Sequence, residues 1–360
     1  MTWFTKLCPV GLAVAVVACT ASHDVGPEAL SNDIEGPVGS IPLSLKCEQE
    51  IEDSIDGMPN DLSCTGLYSN FQKQLVAKGV QTFTPAHTLW SDAADKTRWI
   101  FLPAGKTIDA SDPSSWVFPV GTKAWKEFRV DGKRIETRIY EKTDPDRWGK
   151  ATYQWNDDDT AATRVGMKDF MIGSRGYHIP SGTECSDCHG GRKDQLLGFE
   201  QAALGLDGAQ GITLADLVAK KRITHLQGET HLELGDDGSG VAEPALGWIH
   251  INCGVSCHNA NPNSKGYARD MRLDLDPTEL DGRDASEFLV VKTTVGQDAK
   301  TMRWAGQKRI VAGDPENSLL YVLITQRGDK QQQMPPIASL MVDEANSAII
   351  GEWISKLADK

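Results

Sequence analysis

Apolar and polar residues alternate through the first half of this chain, and helical spacing replaces that alternation towards its end. Between residues 67 and 179, the runs 98–102, 124–130, 134–140 and 151–155 predict strands. Pro103, Gly105, Pro113, Gly121 and Asp144-Pro145 punctuate them, and Asp131-Gly132 between two such runs predicts a tight hairpin. Trp90, Trp99, Trp116, Trp125, Trp148 and Trp155 fall in this stretch and read as core. The acidic run Asn156-Asp157-Asp158-Asp159-Thr160 lacks the Asp-x-Asp spacing and glycine of a calcium loop, so it reads as a solvated turn. The pattern is that of an antiparallel β-rich module.

Further on, residues 195–204 and 213–219 have helical spacing, and 243–252 predicts an apolar helix. Residues 342–357 place Val342, Ala345, Ile349, Trp353 and Leu357 on one stripe, with Ile350 and Ile354 beside it. Asp343 and Glu344 in its first turn suit the helix dipole. The polar, glycine-rich residues 232–240 predict a boundary between domains. The expected fold class is α+β: an N-terminal antiparallel β-rich module, then mainly helical regions.

The N-terminus changes the picture of where the protein works. Residues 7–18 form an apolar run behind Lys6, too short to span a membrane, and Val16-Val17-Ala18-Cys19 has the form of a bacterial lipobox. Residues 1–18 are therefore expected to be a signal peptide, with Cys19 the lipidated first residue; cleavage at an ordinary residue nearby is the alternative. Residues 19–46, rich in Gly, Pro, Ser and acidic side chains, read as a flexible tether spanning roughly 30 Å. The rest divides into 47–180 (β-rich), 181–240 and 241–360. Thr20 after Cys19 favours the outer membrane, by analogy with enterobacterial sorting. A formal charge of −13 argues against nucleic-acid binding and suits a basic protein partner.

An exported chain gives its cysteines a narrower range of meanings. Cys185-Ser-Asp-Cys188-His189 has the C-x-x-C-H spacing of c-type haem attachment: two thiols for the vinyl groups and an adjacent imidazole for iron. Cys253-Gly-Val-Ser-Cys257-His258 carries one more residue between its cysteines. Structural zinc and local disulfides are the competing readings of such pairs. Cys47 and Cys64 are left over and are expected to pair as a disulfide. Met334, in Gln333-Met334-Pro335-Pro336, is the candidate distal ligand of the second haem, with Met302 and Met341 behind it. No comparable ligand presents itself for the first: Met167, Met171, His178, His225, His231 and His250 each read as packed or surface residues. No hydrolase elbow, zinc-protease, phosphate-loop or dinucleotide motif is present.

Residues 241–360, with an apolar helix leading into Cys253 and an amphipathic last helix, resemble a class I cytochrome c domain. Beyond that, Leu62-Ser-x-Thr-Gly-Leu-Tyr68, Leu89-Trp-Ser-Asp-Ala-Ala-Asp-Lys-Thr-Arg-Trp99, Phe118-Pro-Val-Gly-Thr122, Lys126-Glu-Phe128, Ile179-Pro-Ser181, Gly313-Asp-Pro-x-x-Ser318 and Met334-Pro-Pro336 occur in order. Together with the two cysteine motifs they resemble a family of bacterial dihaem c-type proteins. The resemblance implies two covalent haems c, on Cys185, Cys188, His189 and on Cys253, Cys257, His258; the family's second motif usually has two residues between its cysteines. The expected function is single-electron transfer by an envelope lipoprotein with a redox partner protein, touching the membrane through its lipid alone. A dihaem peroxidase- or oxidase-like enzyme, open at the first haem, is the alternative. A ligand- or partner-binding β module with accessory haems is another.

Overall fold

The computed structural model describes Met1 and residues 39–357. The expected signal peptide beyond Met1, the expected lipidation site Cys19 and most of the expected tether lie outside the described residues. Helix α1 (Leu45–Glu52) starts at Ser44, whose hydroxyl accepts from the Cys47 amide. The Cys47–Cys64 disulfide, at an S–S distance of 2.02 Å, joins it to the 3-10 turn Leu62–Cys64. A small hairpin, β1 (Tyr68–Asn70) and β2 (Leu75–Val76), leads into the main sheet.

That sheet contains β3 (Val80–Thr84), β4 (Asp95–Phe101), β6 (Lys123–Val130), β7 (Lys133–Asp144), β8 (Arg147–Trp155) and β9 (Ala162–Val165), antiparallel in that order. A two-residue strand, β12 (Gln210–Gly211), joins its edge beside β3. Off the sheet, β5 (Ile108–Asp109) pairs in parallel with β13 (Ile223–Thr224). The hairpin β10 (Lys168–Ile172) and β11 (Arg175–Ile179) completes the module. Asp131 and Gly132, both at positive φ, turn β6 into β7 as the sequence predicts. Asn156 Oδ1 accepts from the amides of Thr160 and Ala161, closing the acidic run as a turn between β8 and β9.

The two faces of the sheet have different neighbours. Trp99, Trp125, Ile139, Tyr153 and Trp155 form one face, packed under Met58, Leu62, Leu67 and Tyr68 of the disulfide-bonded N-terminal segment. The opposite face carries Arg98, Lys126 and Arg138 side by side on β4, β6 and β7. Alternation alone marks that second face as solvent-facing. Instead the chain folds back over it: β10 and β11 cover one end through Tyr177 and Ile179, and α2 (Gly182–His189) crosses the middle.

The helical half includes α3 (Gln201–Gly205), α4 (Leu214–Ala219), α5 (Ala242–Ile249), α6 (Leu289–Lys292), α7 (Leu319–Ile324) and α8 (Glu344–Lys356). Helix α4 forms as expected, with Thr213 and Asp216 in a reciprocal capping box. The helix expected over 195–204 is only α3; Gln195 and Gly198 sit at positive φ and keep the preceding residues out of it. Helix α8 begins at Glu344 because Asp343 is its N-cap, accepting from Asn346 N. Leu246 and Ile249 of α5 pack with Ile350, Trp353 and Ile354 of α8, and Trp248 Nε1 donates to Asp343 at 2.9 Å.

The boundary expected at 232–240 is not a free linker. Leu232 is buried in the helical core, Glu233 bridges to Asp281, and Asp237 accepts from Trp353 Nε1 at 2.8 Å. Sheet and helical parts belong to one compact unit. Among the described residues no helix is long and apolar enough to cross a membrane.

Candidate haem-attachment centre

Helix α2 presents the first motif. Ser181 and Glu184 cap it reciprocally, and Lys150 of β8 donates to Gly182 O and Ser186 Oγ, fixing it to the sheet. Cys185 and Cys188, three residues apart on a helix, share a face. His189 ends the helix with its ring stacked on Tyr140 of β7, centroids 4.3 Å apart. Its Nδ1 lies 2.5 Å from Gln195 O. A carbonyl can only accept, so Nδ1 carries the proton and Nε2 keeps its lone pair, the tautomer a metal-ligating imidazole needs. Burial, aided by Lys126, holds this imidazole neutral by lowering its pKa to about 3.

The second motif uses a different backbone. Helix α5 widens into a π-turn over His250–Gly254, with Val255 N donating to His250 O. The His258 amide likewise reaches back five residues to Cys253 O, at 2.9 Å. Cys257 lies in the turn that follows, its amide donating to Cys253 O at 3.3 Å, which brings the two cysteines of the longer motif together. Gly254 and Gly266 make room for it: a Cβ on Gly254 would lie 2.2 Å from Asp274 N, and one on Gly266 2.4 Å from His258 Nδ1. His258, 8 % exposed, has a buried Nδ1 with no hydrogen-bond partner. Burial lowers its pKa to about 4 and pushes the thiols of Cys253 and Cys257 up to about 12 and 11.

The two motifs touch. A Cβ on Gly191 would stand 2.1 Å from Ser256 O, so only glycine permits this approach. Buried Arg192 donates from Nε to Val255 O at 2.9 Å, and Lys265 pairs with Asp187 at 2.7 Å. The Cys188 thiol, raised to about 12 chiefly by burial, also feels Cys257. Asp194, just beyond, is buried and accepts from Lys142 Nζ, from Trp148 Nε1 at 2.7 Å and from Phe118 N at 2.5 Å. Among the described residues no three His, Cys, Asp or Glu side chains converge in a metal-binding group.

Met334 packs against the same apolar cluster as Cys253, and its amide donates to Leu323 O at 2.8 Å. Gln333, buried beside it, accepts from Gly328 N and donates to Pro335 O, bracing the loop. The clamp on this loop comes from the β module, a role the sequence did not disclose. Asp92, at positive φ, accepts from Leu340 N at 2.9 Å and Met341 N at 3.0 Å, while Trp90 N donates to Asn252 Oδ1 at 2.7 Å. Met302 is fully exposed; Met341 uses its carbonyl to accept from Trp90 Nε1; Met271, not singled out from sequence, also packs against the helical core.

The histidines considered for the first haem are engaged elsewhere. His250 Nε2 meets Glu200 and its Nδ1 accepts from Leu275 N; His178 bridges Asp169 and Glu184; His225 pairs with Asp109; His231 lies exposed near Asp207 and Glu233. Met167 and Met171 are exposed. Both, with His178 and Glu184, line a cavity of about 670 Å³ bounded on its far side by Gln333 and Pro336.

The residues fit a haem at each motif. His189 offers a free Nε2, the His258 imidazole is buried without a partner at Nδ1, and Tyr140 Oη near His189 is buried and unbonded. Comparison with family models, curated proteins and solved structures gives no match to this chain.

Proposed function

We propose that this chain is a dihaem c-type cytochrome that passes single electrons in the bacterial envelope, held to the membrane by a lipid on Cys19. The observation that carries the reading is the abutment of two Cys-Cys-His segments, each ending in an imidazole held neutral, half-buried at His189 and buried at His258. Haem c supplies the one-electron couple; the polypeptide sets its ligands, its polarity and the spacing between the two centres. Cys185, Cys188 and His189 hold one group, and Cys253, Cys257 and His258 the other. Met334, on a loop braced by Gln333 and clamped by Asp92, would offer the second group a thioether ligand. The crossing of α5 and α8 around this site supports a cytochrome c-like arrangement of residues 241–360. The net charge of −13 favours a basic redox partner. Redox titration of the matured protein is expected to show two reversible one-electron steps with low-spin spectra. Met334→Ala is expected to turn the second haem high-spin and lower its potential, since methionine ligation raises it. Two steps unaffected by this change would remove Met334 from iron.

The engagement elsewhere of the histidines considered for its sixth position favours a second reading, in which the first haem is open to a small substrate. Peroxide, cyanide or carbon monoxide should then perturb its spectrum; an unchanged spectrum with all three rules the enzyme out.

A further inference from the structure

The sheet face beneath α2 holds more positive charge than its own carboxylates answer. Arg98, Lys126 and Arg138 are paired directly across β4, β6 and β7, and Lys96 precedes Arg98 by two residues on the same face. Arg138 has an acid partner: it pairs with buried Glu136, which also accepts from Tyr177. Lys96 donates to Leu89 O. Arg98 is 4 % exposed, yet among the described residues its guanidinium makes no hydrogen bond or ion pair, and neither does the Lys126 ammonium. A guanidinium does not shed its proton in a protein, so a buried one without an anion is an incomplete site.

The row has a direction. Helix α2 is tied to the β7–β8 side, through Lys150 to Gly182 and Ser186 and through His189 stacked on Tyr140, two residues along β7 from Arg138, so Arg138 is the near end of the row and Arg98 on β4 the far end. From Arg138 to Arg98 is two strand spacings, about 10 Å, on the order of a porphyrin's width. A haem joined to Cys185 and Cys188 presents its two carboxylates at the edge opposite those thioethers. Resting on the dihaem reading, we propose that the first haem lies across this row and that Arg98, with Lys126 beside it, binds its propionate carboxylates. The buried Arg98 guanidinium thereby gains its anion, and half-buried Lys126 a second contact to the same group.

The test uses the full chain matured with its haems, by mass, redox titration and resonance Raman. A wild-type mass without two haems would fail the dihaem reading itself. With haems present, Arg98→Gln should lower one midpoint potential by the equivalent of about a tenfold change in equilibrium, ~59 mV for one electron. The fall follows because an unpaired carboxylate favours the ferric state; the other potential and the low-spin spectrum should stay put. Arg98→Lys should restore most of the difference while shifting the propionate bending band. Loaded Arg98→Gln protein with both potentials unchanged would overturn the proposal. If that variant fails to mature, an unshifted propionate band in Arg98→Lys would do so instead. Lys126→Met should keep the low-spin spectrum; conversion to high spin would place Lys126 on iron and overturn its assignment to a carboxylate.

Discussion

The two attachment segments solve one geometric problem with different materials. The first is a regular α-helix laid on a β-sheet, its histidine stacked on Tyr140 and its surroundings rich in Arg and Lys. The second is a π-turn set against the helical core, close-fitted by Gly254 and Gly266 and served by a methionine loop. A sheet face bearing a row of cations and a helical core with a methionine loop would tune a bound redox group in different ways, through charge in the first case and ligand plus burial in the second. Two centres of unequal potential in contact through Gly191 and Ser256 would give electrons a preferred direction.

The largest test of that contrast removes each proposed proximal ligand in turn. His189→Ala and His258→Ala should each cost one haem, read as a missing spectral component, while the other centre keeps its own signature. Loss of both from either change would mean that the segments do not mature independently.

Asp194 comes next. It is buried with Lys142, Trp148 and the Phe118 amide, and it anchors the chain leaving the first segment. Asp194→Ala leaves Lys142 without its acid and should destabilise the fold by about 3–5 kcal/mol in denaturant titration. A change under about 1 kcal/mol would show that this anchor is dispensable.

Gly191→Ala probes the contact itself. Its Cβ would overlap Ser256 O, so the segments must separate, at a cost of about 1–3 kcal/mol. The two potentials should also become less dependent on each other. Unchanged stability would mean that this approach is looser than 2.1 Å implies.

The smallest effect concerns His178, which links β11 to the first turn of α2. Burial works against its charge, but hydrogen bonds to Asp169 and Glu184 prevail and raise its pKa above the usual value. A raised folded-state pKa gives stability that is fully present below the unfolded value, near 6.5, and is lost as pH rises through the folded value. His178→Gln should therefore cost under about 1 kcal/mol at pH 5.5 and less at pH 8.5. A difference that grows with pH would contradict the ion pairs.

Much of this arrangement is legible in the amino-acid sequence. Alternation locates β4, β6, β7 and β8, Asp131-Gly132 locates a turn, and the stripe from Ala345 to Trp353 locates α8, because local patterns report local structure. The disulfide follows from compartment and leftover cysteines. What the pattern hides is whatever depends on the chain returning to itself. Arg98, Lys126 and Arg138 read as a solvent face because nothing local announces that α2 will cover them. Asp92 and Trp90 give no sign of reaching Leu340, Met341 and Asn252, some 160 to 250 residues away. The residues before α3 leave the helix where Gln195 and Gly198 take positive φ, and the Gln195 carbonyl meets His189 Nδ1 there, a contact no local pattern announces.

The central claim is that both segments carry covalent haem. Its most direct test is the intact mass of the protein matured in the periplasm, read with a reduced-minus-oxidised spectrum. The account predicts a mass exceeding the processed, lipid-free chain by two haems, with c-type absorption bands. One haem would restrict the claim to Cys185, Cys188 and His189; a chain carrying none would contradict it.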